Sequence, residues 1–420
     1  MNSHGERQRR RGFARLSGRA LAAGLMGLVV TAKTASAEGT AVGTGADMAP
    51  RTEATTGAIA GVVPGAPNFA IHVSGNDLVN NEGQAVRLVG VDRSGTEYAC
   101  AEGWGIFDGP SDATSVSAMA SWGVNAVRVP LNEDCWLGIN GVSGRWGGER
   151  YQRAIEQYVS VLGEDHIVAI LDLHWSAPGG TLALGQQNMA DADHSVTFWR
   201  SVASAFRADP AVMFDLYNEP HDISWQCWLD GCVVPASSTG PAWRAAGMQA
   251  LVDAVRATGA TQPIVLEGVD WAGDVSRWLP DLPWDPLHQE VASIHVYSFS
   301  GCSQASCWNA NYAPLAKTIP VIAGEVGQNG CSGGFADGFL DWADIHNISY
   351  LAWTWDVWGC PYSLVSNYDG EPTPWGAIYQ AHISTLRLTP LVGYPSGSIT
   401  LPRLATLDGL PGPAQLGAPS

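Results

Sequence analysis

Eight short, mostly apolar runs, separated by stretches of helical periodicity, constrain this chain more than any other feature. They fall at Val86–Val91, Asn125–Val129, Ile167–Leu173, Val212–Tyr217, Ile264–Glu267, Val291–Val296, Val321–Gly324 and Tyr350–Trp355. Such runs are what strands buried on both faces of a parallel sheet use. Between most of them lie helix patterns: "DATSVSAMASWG", "YQRAIEQYVSVLG", "SVTFWRSVASAF", "AWRAAGMQALVDAVRATG" and "FADGFLDWADIHN". Eight strands alternating with helices over about 310 residues predict an α/β fold, a (β/α)₈ TIM barrel. A doubly wound open sheet is the other candidate. No glycine-rich phosphate or dinucleotide fingerprint follows an early strand, which disfavours it. "FAIHVSGNDLVNNEG" alternates and turns twice, so a short N-terminal β-hairpin precedes the barrel.

The flanks read differently. Residues 1–37 run from an arginine-rich start through an apolar stretch to Ala35-Ser36-Ala37, the pattern of an export signal. The apolar run is shorter than the ~20 residues a membrane span needs, and "RRRGFAR" resembles a twin-arginine motif. Residues 38–67 read as a Gly/Ala/Pro/Thr-rich linker, 68–387 as the barrel domain and 388–420 as a Pro/Gly-rich tail. Without residues 1–37 the balance of 22 basic and 40 acidic residues becomes 15 and 39, a net charge of −24. Such a surface repels nucleic acid and anionic membranes. The expected product is a secreted monomer that engages neutral or cationic substrates.

In a barrel of this kind chemistry sits where the strands end. Strand two carries Arg128, strand three ends in His174 and Trp175, and strand four in Asn218 and Glu219, where Pro220 stops the ladder. Strand six carries His295 and Tyr297, strand seven Glu325, and strand eight Trp353 and Trp355. Two glutamates on nearly opposite strands therefore face one pocket. Glycosidic cleavage needs that pair: one carboxyl protonated for the leaving oxygen, one ionised to attack carbon or activate water. Arg128 beside Glu325 would keep that group anionic. The plainer alternative is that such carboxylates cap helices or pair with arginines, and it explains Glu219 alone far better than it explains the whole set.

Together "RVP", the strand-three His, "LYNEP", "HVY" and "GE" resemble glycoside hydrolase family 5 of clan A, over roughly residues 68–387. The resemblance implies a retaining hydrolase of β-linked glycans with no metal or organic cofactor. By motif position it makes Glu219 the acid/base and Glu325 the nucleophile. Asn218 would contact a sugar 2-hydroxyl, His295 and Tyr297 would flank the carboxylates, and Arg128 and His174 would support them. Trp353 would floor the subsite of the reacting sugar, with Trp355 a second candidate. The reading is an endo-β-1,4-glucanase. A β-mannanase, an exo-acting β-glycosidase and a non-catalytic glycan-binding barrel are the alternatives. A metal-dependent hydrolase built on His174, His221 and His295 is disfavoured because "RLVGVD" lacks the His-x-His such sites start from.

Of eighteen tryptophans, Trp136, Trp175 and Trp358 follow strand ends closely and are candidates to stack on pyranose faces. All eight cysteines fall in loops after strands, and an even count in an exported chain implies disulfides, with zinc the minor reading. Loops after adjacent strands are neighbours in a barrel. The expected pairs are therefore Cys100–Cys135, Cys227–Cys232, Cys302–Cys307 and Cys331–Cys360.

Overall fold

The computed structural model describes residues 69–237, 240–386, 388, 390 and 391; the stretches expected to be an export signal and a linker, and most of the expected C-terminal tail, lie outside them. Eight parallel strands close a barrel: β4 (Val89–Asp92), β5 (Ala126–Asn132), β6 (Val168–Trp175), β7 (Val212–Asp215), β10 (Ile264–Glu267), β11 (Glu290–Tyr297), β12 (Val321–Gly327) and β13 (Ser349–Ala352). Every neighbouring pair is parallel, and β13 returns to β4. The fold is the (β/α)₈ barrel. No helix among the described residues is long and apolar enough to cross a membrane.

Side chains two apart along a strand share a face, and here that rule builds two layers inside the barrel. Ala126, Ile170, Met213, Val265, Val291, Ile322 and Leu351 form one buried apolar layer toward the N-terminal mouth. Two residues further along four of these strands come Arg128, Asp172, Asp215 and Glu267, all buried. The same alternation thus supplies an apolar floor and, directly above it, a charged ceiling.

The floor is closed from below. A three-stranded antiparallel sheet, β1 (His72–Ser74), β2 (Asp77–Val79) and β3 (Ala85–Val86), sets Ile71, Leu78 and Val86 against it, together with Leu391. Ile71 N–H donates to Pro210 O at 3.0 Å, and the Asn80 side chain donates to Pro390 O at 3.0 Å. This is one strand more than the expected hairpin.

The helices pack outside: α1 (Ala113–Ser121), α2 (Glu133–Leu137), α3 (Glu149–Glu164), α4 (Ser195–Phe206), α5 (Trp225–Asp230), α6 (Met248–Arg256), α7 (Ala305–Ala316), α8 (Gly334–Ile345) and α9 (Pro374–Ser384). Two stretches depart from expectation. The helix expected from Ala242 starts only at Met248, because Trp243–Ala245 (β9) pairs with Cys232–Val234 (β8) in a hairpin held by Ala246 N–H to Ala190 O at 2.8 Å. Strand eight ends at Ala352 rather than Trp355.

Four disulfides join Cys100–Cys135, Cys227–Cys232, Cys302–Cys307 and Cys331–Cys360. All lie in segments that follow barrel strands, on the face opposite the apolar floor.

Candidate active site

Arg128 is the hub of the charged layer. It is fully buried and touches five carboxylates: Asp92 at 3.2 Å, Asp172 at 3.0 Å, Asp215 at 2.8 Å, Glu267 at 2.8 Å and Glu325 at 2.9 Å. Its Nη2 also donates to Asn218 Oδ1 at 2.8 Å. One guanidinium cannot neutralise five acids in a dry interior. Burial accordingly pushes Asp92 and Asp215 well above the usual carboxylate range.

Backbone irregularities aim the two glutamates. After Asp215 the chain leaves the sheet, and Glu219 adopts a left-handed φ of 50°. Its N–H is held by Glu267 Oε2 at 2.6 Å, which accounts for so unfavourable a backbone at this position. On β12 the register with β11 shifts at Ile294/His295, setting Glu325 opposite His295. Gly324 makes room for this: a Cβ there would meet Ser293 Oγ at 2.6 Å and His295 Nε2 at 3.1 Å.

Glu219, His295 and Glu325 each place an atom within 4.8 Å of the other two. His295 Nδ1 lies 2.9 Å from Glu219 Oε1 and 3.7 Å from Glu325 Oε2, while its Nε2 lies 3.0 Å from Glu267 Oε1. Gln186 Nε2 donates to Glu219 Oε2 at 3.0 Å, and Tyr297 Oη donates to Glu325 Oε2 at 2.5 Å. The Glu219 side chain is the more open of the pair, 15% exposed against 5% for Glu325. Asn218 Nδ2 is buried, with no hydrogen-bond partner.

Ionisation follows from these contacts. Burial disfavours a charged His295, but Glu267 and Glu325 outweigh it and hold the imidazolium well above its ordinary value. Burial alone would raise Glu219; the hydrogen bond and charge of His295 overcome that and leave it low. Glu267 is driven down in the same way, to about 2. Glu325 is raised, because burial and the nearby Glu219 exceed the pull of His295 and of an Arg128 shared among five acids. Arg128 does favour the anionic form of Glu325, as expected, but burial and Glu219 offset that pull. His295, whose charged form is favoured, thus lies between the two carboxylates.

Aromatic side chains flank this centre. Trp353 stacks on His174 with centroids 5.6 Å apart and planes at 11°. Beyond it, Tyr98 lies 6.1 Å from Trp358, 6.2 Å from Trp175 and 5.9 Å from Trp104. On the Glu219 side, Trp271 stacks on His221 at 3.6 Å and 8°, held by three successive left-handed residues, Asp270, Trp271 and Ala272. Phe299 stacks on Tyr297 at 5.0 Å. Trp271 and Phe299 are 46% and 60% exposed, open enough to meet a ligand.

Two expected platforms are corrected. Trp136 is 1% exposed: α2 turns its ring outward from the barrel among Tyr151, Phe198 and Phe206, and its Nε1 donates to Ser201 Oγ at 3.0 Å. Trp355 is fully buried edge-on against Trp122 at 4.8 Å, because the chain turns away from the cleft after Trp353. The histidine trio of the metal-dependent alternative does not assemble either. His174 is bonded to Asp172 at 2.6 Å and His221 to Glu219 O at 2.8 Å, so neither shares a ligand set with His295.

The sequence reading passed over Glu267, Gln186, Tyr98 and Phe299, and did not choose Trp271 among its loop tryptophans. Glu267 was within reach, since it ends a strand that is evident in the sequence. Gln186 and Trp271 arrive on irregular loops with no periodic signal.

Comparisons with known proteins agree with this geometry. The model of the family Cellulase (glycosyl hydrolase family 5) matches residues 79–358. A "Beta-mannanase/endoglucanase A" of Caldicellulosiruptor saccharolyticus is 24% identical over 298 residues, 66% of this chain but only 20% of that protein's length. A "Probable endo-beta-1,4-glucanase B" of Neosartorya fischeri is 28% identical over 263 residues, 59% of this chain and 71% of the relative. Among solved structures, a beta-glucanase from Saccharophagus degradans in complex with cellotetraose shares the fold, with a TM-score of 0.59, 19% identity and coverage of 77% of this chain and 95% of that one. With the family model spanning most of the barrel and both glutamates in one charged cleft, the chain belongs to glycosyl hydrolase family 5.

Proposed function

We propose that this protein is a retaining endo-β-1,4-glucanase in which Glu219 is the acid/base and Glu325 the nucleophile. The observation that carries the reading is the approach of the two carboxylates, with oxygens within 4.8 Å. Retaining glycosidases hold the pair about 5–5.5 Å apart, whereas inverting ones leave about 6.5–9.5 Å for a water.

Glu325 attacks the anomeric carbon while Glu219 protonates the departing glycosidic oxygen, and the C–O bond breaks to leave a glycosyl ester on Glu325. Glu219, now ionised, takes a proton from water, whose oxygen then displaces Glu325. Arg128 and the Tyr297 hydroxyl each donate to Glu325 and steady it as it is released as a carboxylate. Glu219 obtains its first proton from His295 along the 2.9 Å Nδ1–Oε1 contact. A bound sugar excludes water and so favours the neutral acid–imidazole pair over the ion pair. The unpartnered Asn218 Nδ2 suits a sugar hydroxyl beside the reacting carbon.

Two of the relatives are named for β-1,4-glucan or mannan cleavage, and the Saccharophagus enzyme holds cellotetraose. Aromatic rings on both sides of the carboxylates suit a chain passing through, hence internal cleavage. Four disulfides and the export-like residues 1–37 support secretion.

The test is reducing-sugar release from carboxymethyl cellulose, mixed-linkage glucan, glucomannan, xylan and galactan, with Glu325→Ala alongside. A β-glucan signal that appears as mixed-length products and falls at least about a thousandfold in the variant is expected. Folded protein that releases nothing from any polymer would refute it.

A further inference from the structure

A second cluster of ligating side chains lies away from the carboxylate pair. Glu133, the first residue of α2, meets Asp191 and His194, which end the long loop between β6 and α4. Glu133 and Asp191 are fully buried. One atom from each of the three residues lies within 4.8 Å of the others.

The hydrogen bonds leave this cluster incomplete. Ser195 Oγ donates to Glu133 Oε2 at 2.5 Å and lies 3.3 Å from Asp191 Oδ2, and Asp191 Oδ1 accepts from the N–H groups of Asp193 and His194 at 2.9 and 2.8 Å. Glu133 Oε1 and His194 Nδ1 are both buried with no hydrogen-bond partner. They face each other at 3.8 Å, and Nδ1 stands 3.6 Å from Asp191 Oδ1. These separations are too long for hydrogen bonds. Two donors bound to one ion at about 2.1 Å sit roughly 3.0–3.5 Å apart, a small closing movement from what is seen. A proton shared by Glu133 and Asp191 would relieve the carboxylates but leave His194 Nδ1 without a partner.

We propose that Glu133, Asp191 and His194 bind one divalent first-row cation, Mn²⁺ or Zn²⁺, with Ser195 Oγ beside it. Two carboxylate oxygens and an imidazole nitrogen select such ions over Ca²⁺, which takes six to eight oxygens. The site is a clasp. It ties α2 to the loop that delivers Gln186 to Glu219, a loop also held by Ala183 N–H to Asp134 Oδ2 at 2.8 Å. The ion takes no part in bond breaking.

The experiment uses chelator-stripped, oxidised protein supplied separately with Mn²⁺, Zn²⁺ or Ca²⁺. The readouts are metal content after gel filtration and thermal unfolding. One Mn²⁺ or Zn²⁺ per chain is expected, with a Tm rise of roughly 5 °C at a hundredfold excess over Kd. Both effects should vanish in His194→Ala and Glu133→Gln and persist in Glu325→Ala. Because His194 is partly exposed, its variant keeps the test alive should Glu133→Gln fail to fold. No uptake of Mn²⁺ or Zn²⁺ would overturn the proposal, as would uptake that survives in His194→Ala or is lost only in Glu325→Ala.

Discussion

Glu267 shows how one fully buried side chain can organise the groups around a carboxylate pair. Its two oxygens hold the Glu219 N–H, Arg128 and His295 Nε2. It is thus a positioning residue whose negative charge keeps His295 protonated. In Glu267→Gln the imidazolium loses its main counter-charge and its pKa falls. The alkaline limb of the pH–kcat profile should move about one unit toward acid, with kcat down roughly tenfold or more. A loss of kcat with both limbs unmoved would reduce Glu267 to scaffolding. Legibility at this scale tracked strand register. Arg128, His295, Tyr297 and Glu325 lie on barrel strands, and Asn218 and Glu219 follow one closely, so position alone brought them together. Trp136 and Trp355 also follow strand ends, yet ring direction depends on how the next turn folds, which adjacency in sequence does not specify.

Among elements, all eight barrel strands could be read because each is a compact apolar run between turn residues. The β8–β9 hairpin could not, since "AWRAAGMQALVDAV" has helical composition throughout and the Cys227–Cys232 link and the contact to Ala190 override it. The loops carry the aromatic side chains that flank the carboxylates, and the disulfides brace them. Cys331–Cys360 joins the segments after β12 and β13, two residues from Trp358. Replacing both cysteines by serine removes a 29-residue cross-link, a loss of about 3–4 kcal/mol in the chain-entropy picture. KM for a soluble β-glucan should rise several-fold while kcat stays within about twofold, because the link constrains the rim and not the carboxylates. Unchanged KM alongside a lowered Tm would mean the bridge serves the barrel instead.

For the whole molecule, an acidic chain of net charge −18 places much of its buried charge in one layer, and stability should follow that layer's protonation. Burial disfavours a charged His174, but Asp172 at 2.6 Å outweighs it and raises the pKa to about 9. The resulting stabilisation, about 3 kcal/mol, is fully present below the unfolded value near 6.5 and is lost as pH rises through about 9. Burial also raises Glu97, to about 7, so the folded state again holds the extra proton and stability falls with pH in that lower range too. Denaturation midpoints should decline from pH 6.5 to 9, and His174→Asn should flatten that decline. An unaltered slope in the variant would remove His174 as its source.

The apolar floor has a practical consequence for joining this barrel to other things. Residues 69 and 391, the outermost described, both pack at the closed mouth, where the Asn80 side chain also meets Pro390, while the carboxylate cleft opens at the other pole. A cargo domain, an affinity handle or a surface linker attached beyond either end would emerge behind the cleft. Because both described ends pack against the same apolar floor, the barrel is also a candidate for circular permutation, with the new termini cut into an outer loop and the cleft left free for a polymer.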